Sequence, residues 1–126
     1  MVRYVVLVSE SAVMPRDVLR ALAAHPRFEI DDNGSAHSRH PLTTVEPFDW
    51  SVEGDDWLTD LKPSSPSGSI PSRVGSAMMM TCGSASWIAE TGLLLAAELR
   101  EPAWFIGNDG VAWLVEQVDP ARIDLG

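Results

Sequence analysis

The residues best suited to binding chemistry are the carboxylates and aromatic rings between Phe48 and Leu61. This stretch holds five acidic and three aromatic side chains and contains no basic residue. Carboxylates attract basic protein surfaces over long range, and aromatic rings supply contact area once two surfaces meet. The pattern therefore predicts a patch that binds a basic protein partner. Its candidate contact residues are Asp49, Trp50, Glu53, Asp55, Asp56, Trp57 and Asp60.

The same segment approximates the ligand spacing of a calcium loop. Asp49, Ser51 and Glu53 stand at alternate positions, followed by a glycine and by Asp60. Calcium loops use alternating oxygen ligands, a glycine and a final bidentate glutamate. Here an aspartate replaces that glutamate, and Trp57 occupies a position that usually supplies an oxygen. The departures favour a solvated loop or a protein interface, so no metal ion and no cofactor are expected.

Histidine and cysteine provide two further candidate chemistries. His37 and His40 are close in sequence, but zinc needs three or four ligands and the other candidates lack a diagnostic spacing. Cys82 is the single cysteine and lies at a predicted strand-to-helix turn, where hydrolases place nucleophiles. A small enzyme that uses Cys82 with a distant histidine is therefore one alternative function. A cysteine packed at the end of a strand is the competing interpretation.

Negative charge is concentrated in one part of the chain. The formal net charge is −9, and residues 29–60 alone carry nine carboxylates and one arginine. No cluster of Lys or Arg occurs in the sequence. Because affinity for phosphate backbones requires a basic patch, binding to nucleic acid is not expected.

Length and hydropathy indicate one soluble domain. A chain of 126 residues with 45% hydrophobic residues can bury a single core. The N-terminal apolar run is too short for a signal peptide, and no apolar stretch has the length of a membrane span. A single cysteine excludes a framework of intrachain disulfides and fits a reducing compartment. We therefore predict a cytoplasmic protein without membrane contact, and its oligomeric state stays open.

Apolar periodicity predicts the elements that must position these residues. Pro15 suits the first turn of a helix, and Ser84 is the predicted N-cap of a second one. The sequence Gly-Asn-Asp-Gly at 107–110 predicts a hairpin turn between the last two strands. The predicted elements are strand 2–8, helix 15–25, strand 27–31, strand 43–48, strand 73–81, helix 87–100, strand 103–106 and strand 111–118.

Spacing within two of these elements predicts which side chains enter the core. One face of the second helix is predicted to carry Ile88, Gly92, Leu95 and Leu99. The methionines at 78–80 are consecutive on a strand, where alternate side chains point to opposite faces. At least one of them is therefore predicted to belong to the core, although together they could offer an adaptable binding surface.

The order of elements predicts an α+β fold in a single domain, residues 1–126. We expect a mostly antiparallel sheet with both helices on one face, and a ferredoxin-like arrangement is one candidate. Regular structure is hard to assign over 32–72. Residues 32–61 are interpreted as a long acidic insert, and the Pro/Ser/Gly-rich stretch 62–72 as a loop.

The layout resembles that of the immunity proteins of bacterial polymorphic toxin systems. The likeness rests on the small acidic domain, the aromatic and acidic segment, and the closing helix and hairpin at 88–99 and 103–113. Immunity proteins bind a cognate toxin domain tightly and block its active site, often by matching a basic cleft with carboxylates. The resemblance implies a non-catalytic inhibitor whose partner is a basic toxin domain. Its carboxylates would pair with Lys or Arg, and its rings would fill pockets.

Two other classes of function fit the same sequence. A regulatory or adaptor module would bind its partner with micromolar affinity, whereas an immunity protein would bind with nanomolar affinity. A small enzyme or ligand-binding domain would need a concave pocket that joins Cys82 to a histidine. The charge pattern and the lack of a recognisable catalytic set favour the inhibitor.

Overall fold

The computed structural model describes residues 3–49, 60–66 and 68–126. Within these ranges the chain forms two α-helices and one sheet of eight strands, which confirms the predicted α+β class. The elements are β1 (Tyr4–Ser9), α1 (Met14–Ala23), β2 (Glu29–Ile30), β3 (Ala36–Arg39), β4 (Leu42–Pro47), β5 (Lys62–Pro63), β6 (Ser76–Cys82), α2 (Ala85–Glu98), β7 (Ala103–Ile106), β8 (Val111–Leu114) and a 3-10 helix (Val115–Gln117).

The centre of the sheet has the ferredoxin-like order. The strands are arranged β2-β3-β4-β6-β1-β7-β8-β5, and every neighbouring pair is antiparallel except β5 with β8. The units β1–α1–β4 and β6–α2–β7 each join two parallel strands that have one strand between them, which is the split βαβ arrangement. Two further strands extend the sheet at each edge.

Both helices pack on one face of the sheet. Alternate residues of the two central strands face them, and Val5, Leu7, Met78 and Met80 are at most 1% exposed. Burial of each such side chain contributes about 1.5–3 kcal/mol. The helices add apolar residues to the same cluster, namely Met14, Val18, Ala21, Leu22, Trp87, Ile88 and Leu95. In the described part of the chain, neither helix has the length and apolar character needed to cross a lipid bilayer.

The predicted cap and turn residues have the predicted roles. The Ser84 hydroxyl accepts a hydrogen bond from the backbone N–H of Trp87 (3.3 Å) and so caps the N-terminus of α2. Pro15 lies in the first turn of α1. Gly110 has a φ of 80°, which glycine adopts at little cost, and it closes the hairpin between β7 and β8.

Local structure differs from the sequence prediction at several places, and the stretch 62–72 interpreted as a loop begins with strand β5. The segment interpreted as an acidic insert contains the β3–β4 hairpin, which is part of the sheet. The predicted strand 27–31 is reduced to Glu29–Ile30, because Phe28 lies in the turn before it; Phe28 is buried, whereas Ile30 is 39% exposed. The last strand ends at Leu114, where the chain enters the 3-10 helix.

Candidate functional site

The sheet face opposite the helices is covered at one end by the Pro/Ser/Gly-rich stretch. Leu61 and Val74, which lie on either side of this stretch in the sequence, pack against the sheet in a second apolar cluster. The indole Nε1 of Trp104 donates a hydrogen bond to the carbonyl oxygen of Ser69 (3.1 Å). The sheet side of the cluster consists of Val8, Ala77, Trp104, Ile106 and Ala112.

Beside this cluster the sheet face is concave and forms a pocket of about 850 Å³. Its floor is one row across three strands, because Val6 of β1 pairs with both Met79 and Ile106. Val6 and Met79 are only partly buried. The walls are formed by Tyr4, Phe48, Leu61 and the turn at 107–110. We call this the open-face pocket.

Carboxylates dominate the rim of the open-face pocket. Asp60 and Asp109 line it, and Lys62 is the one basic lining residue among those the structure describes. Glu46 pairs with the floor residue Met79 across β4 and β6, so its exposed carboxylate extends the acidic rim. An apolar floor inside an acidic rim suits a basic surface that carries apolar or aliphatic anchors.

The hairpin turn that forms one wall is fixed by its own hydrogen bonds. Asp109 Oδ1 accepts a hydrogen bond from the backbone N–H of Val111 (3.2 Å). Asn108 Nδ2 donates to the carbonyl oxygen of Tyr4 (2.8 Å), which ties the turn to the start of β1. The wall is therefore pre-formed, which lowers the ordering cost of binding a partner there.

The predicted contact patch begins and ends beside this pocket. Asp49 and Asp60 are both exposed, and Phe48 and Asp60 line the pocket. The remaining predicted contact residues and most of the calcium-like loop lie outside the described residues, so their roles stay predictions. They are Trp50, Glu53, Asp55, Asp56 and Trp57.

Sequence reasoning missed the apolar floor of the pocket. The alternation predicted for the methionines is confirmed, because Met78 and Met80 are buried under the helices while Met79 faces the pocket. Val6 belongs to an unbroken apolar run, which predicts burial on both faces. A partly covered second face cannot be inferred from that run, because the cover comes from residues far along the chain.

Cys82 lies in the hydrophobic core. It is the last residue of β6 and is 1% exposed. Its sulfur is 3.6 Å from the Thr43 hydroxyl oxygen and accepts a hydrogen bond from the backbone N–H of Ser84 (3.3 Å). These contacts agree with the packed-cysteine interpretation, and they supply no base for a nucleophile.

His37 is engaged by a carboxylate. Its Nε2 lies 2.7 Å from Oδ2 of Asp31, and Asp31 Oδ1 accepts hydrogen bonds from the backbone N–H groups of Asn33 and Ser35. The hydrogen bond from His37, followed by that from Ser35, lowers the pKa of the Asp31 carboxyl below its usual range. Across the ranges 3–49, 60–66 and 68–126, no three His, Cys, Asp or Glu side chains are grouped as metal ligands.

We expect His37→Ala to raise the pKa of Asp31 towards its ordinary value, because the largest stabilising contact of the carboxylate is lost. A depressed carboxyl pKa stabilises the fold above the unfolded-state pKa, and the benefit disappears as pH falls through the native pKa. Carboxyl-detected NMR titration measures the shift directly. His40→Ala is the matched control and should leave Asp31 unchanged. An equal pKa in wild type and His37→Ala would contradict the pairing.

Comparison of the chain with known protein families, with curated proteins and with solved structures found no match. The candidate site must therefore be interpreted from its own chemistry. That chemistry is a pre-formed concave surface with an apolar floor, an acidic rim and the ends of an acidic, aromatic segment. Such a surface has the shape and the chemistry to bind a partner.

Proposed function

We propose that this protein is a cytoplasmic, non-catalytic inhibitor of the bacterial immunity-protein type, which binds a basic toxin domain. Binding takes place at the open-face pocket together with the acidic, aromatic segment between Phe48 and Leu61. The observation that supports this proposal is the position of Phe48 and Asp60, which lie at the two ends of the segment and both line an apolar pocket with an acidic rim.

Charge and apolar surface contribute to binding in different ways. The net charge of −9 attracts a basic partner over long range and raises the association rate, an effect that falls with ionic strength. The floor formed by Val6, Met79 and Ile106 offers apolar contact that slows dissociation. A long Lys or Arg side chain fits this combination, because its aliphatic stem packs on the floor while its charge meets the rim.

We expect removal of the rim charges to weaken partner binding by about tenfold or more, because several favourable charge contacts are lost together. The variant is Glu46→Gln/Asp60→Asn/Asp109→Asn, in which the new amide at 109 keeps an acceptor for the turn. The matched control removes three exposed carboxylates on the helical side, at Glu90, Glu98 and Glu116. Both proteins therefore carry the same net charge.

Affinity capture from a lysate of the source organism, followed by binding measurements on the purified partner, tests the proposal. Wild type and control should retain one basic protein that the rim variant binds more weakly. That protein should slow growth when expressed alone and lose this effect when co-expressed with the inhibitor. Equal binding by the rim variant would contradict the surface. A partner without toxicity and with micromolar affinity would support an adaptor instead.

A further inference from the structure

The floor of the open-face pocket belongs to a row of side chains that crosses four strands. Glu46 of β4 pairs with Met79 of β6, which pairs with Val6 of β1. Val6 pairs on its other side with Ile106 of β7, the residue before the turn at 107–110. Residues paired across neighbouring strands project from the same face of a sheet. The four side chains therefore lie side by side on the open face.

The neighbours of these residues along each strand confirm the direction of the row. Alternate residues of a strand point to opposite faces, so the neighbours should be buried under the helices. Val5, Val45, Met80 and Phe105 are at most 2% exposed and belong to the core cluster that contains both helices. The row is therefore directed away from the helices and towards the pocket.

Side chains on both flanks make the row into a groove. Tyr4 lies two residues before Val6 on β1, so it projects from the same face and forms one wall of the pocket. Phe48 lies on the other flank, where its backbone N–H donates to the carbonyl oxygen of Ala77 (3.1 Å). Leu61 continues this second wall. The result is a groove that runs across the strands, with an apolar floor and an aromatic ring on each side.

Carboxylates lie at the two ends of the groove. Glu46 ends the row at β4, and Asp109 lies in the turn that follows Ile106 at the other end. Asp60 joins Asp109 there, since its carbonyl oxygen is 3.4 Å from the ideal position of a Cβ atom on Gly110. Three strand spacings of about 4.8 Å separate the two ends by about 14 Å. A metal ion binds oxygen ligands at about 2.0–2.6 Å and cannot contact both ends.

The groove has a negative net charge. Glu46, Asp60 and Asp109 carry three negative charges, and Lys62 is the one basic side chain that lines the pocket in the described chain, which leaves −2. Neither ion pair found among the described residues involves these three carboxylates. Aromatic rings also attract cations through their faces. The groove therefore favours a ligand with more than one positive charge.

We propose that this groove binds a linear aliphatic polyamine. The amine lies along the row, with its methylene groups on Val6 and Met79 and its ammonium groups near the carboxylates at the two ends. Charged and apolar groups alternate along such a ligand in the same order as along the groove. A monoamine would satisfy one end only, and a compact cation would leave the apolar floor without a contact.

This inference goes beyond the proposed inhibitor function, because a free amine requires no toxin domain. The amine covers the floor on which we propose that the partner packs, so the two should compete for the open-face pocket. Amine binding is measured on the protein alone. Its failure would leave the partner proposal standing, and a missing partner would leave the amine site standing.

Calorimetric titration at low and constant ionic strength tests the inference with three probes. These are spermidine, butylamine and hexaamminecobalt(III), which is a compact cation with the same charge as spermidine. Spermidine should bind with a Kd of about 10 µM to 1 mM, and the other two about tenfold or more weakly. Methyl NMR signals of Val6, Met79 and Ile106 should shift with spermidine. The inference fails if spermidine does not bind at about 10 mM, binds no better than hexaamminecobalt(III), or shifts other residues instead.

Removal of the end carboxylates tests their part in binding. Glu46→Gln/Asp109→Asn should weaken spermidine binding by about tenfold, because one charge contact is lost at each end. The matched control is Glu90→Gln/Glu98→Gln, which has the same net charge and removes two exposed carboxylates of α2. Thermal unfolding of each variant confirms that it is folded. An equal loss of affinity in the control would show that net charge alone attracts the amine, and it would overturn the assignment.

A polar floor tests the apolar contact separately. Met79→Gln keeps every carboxylate and nearly the same side-chain length, and Met79 is only partly buried. Spermidine binding should weaken about threefold or more, because methylene groups lose apolar contact, while hexaamminecobalt(III) binding stays unchanged. Unchanged spermidine affinity in this variant would show that the amine does not lie on the floor, and it would overturn the proposed binding mode.

Discussion

Replacing Gly92 by alanine is expected to lower the free energy of unfolding by about 3 kcal/mol or more. Gly92 lies on α2 where this helix meets the 3-10 helix. A Cβ atom at this position would overlap the carbonyl oxygen of Val115 and lie 2.9 Å from its carbonyl carbon. Both atoms belong to the backbone, so a simple side-chain rotation cannot relieve the overlap. Alanine is the better helix former by about 1 kcal/mol, which is too little to compensate.

Urea denaturation followed by tryptophan fluorescence measures this loss. Gly83→Ala is the matched control, because a Cβ there would have no heavy atom within 4 Å and the backbone is not left-handed. The control should change the free energy of unfolding by less than about 1 kcal/mol. If Gly92→Ala were as stable as the control, the close approach of α2 to the 3-10 helix would be wrong.

Gly92 also shows which contacts of a helix can be predicted from apolar periodicity and which cannot. The sequence predicts that Ile88, Gly92 and Leu95 share a face, and all three are buried. Helical spacing fixes which side of a helix is apolar, because it depends only on residues within a few turns. That face packs against the 3-10 helix that follows β8. This 3-10 helix begins some twenty residues after Gly92 in the chain. Local spacing contains no information about that contact.

Strands without an apolar pattern are difficult to predict from local sequence for the same reason. Strand β3 reads Ala-His-Ser-Arg, which has no apolar alternation. It is a strand because it pairs with β4 in register, with Ala36 opposite Val45 and Ser38 opposite Thr43. Strand formation depends strongly on such neighbours and less on intrinsic preference. The open-face pocket is affected, because β4 carries Glu46 of its acidic rim.

The acidic rim of the open-face pocket can be predicted from the sequence, whereas its apolar floor cannot. Charge counting identifies an acidic surface, and Asp60 does lie on the pocket rim. The floor brings together Val6, Met79 and Ile106 from three strands that are distant in the chain. Only the register of those strands places the three side chains in one row. Composition could therefore predict a basic partner, but not the apolar surface that we propose for its binding.

Replacing Trp104 by alanine is expected to lower the free energy of unfolding by about 3–5 kcal/mol. The ring is 4% exposed and lies in one row with Val8 and Ala77 on the sheet face opposite the helices. Its indole N–H also holds the Pro/Ser/Gly-rich stretch through the carbonyl of Ser69. Truncation removes the packing and this hydrogen bond together. Trp104→Phe keeps most of the ring and should lose about 1–2 kcal/mol.

The two variants should also differ in the local stability of the covering stretch. Native-state hydrogen exchange at Leu61, Ser69 and Val74 should accelerate more in Trp104→Ala than the global loss of stability explains, because Leu61 and Val74 share an apolar cluster with the ring and Ser69 accepts its N–H. Leu61 belongs both to that apolar cluster and to the wall of the open-face pocket. Partner binding should therefore weaken in Trp104→Ala even under conditions where the variant is fully folded. Exchange that rises uniformly over the whole chain would show instead that Trp104 stabilises the sheet without positioning the pocket wall.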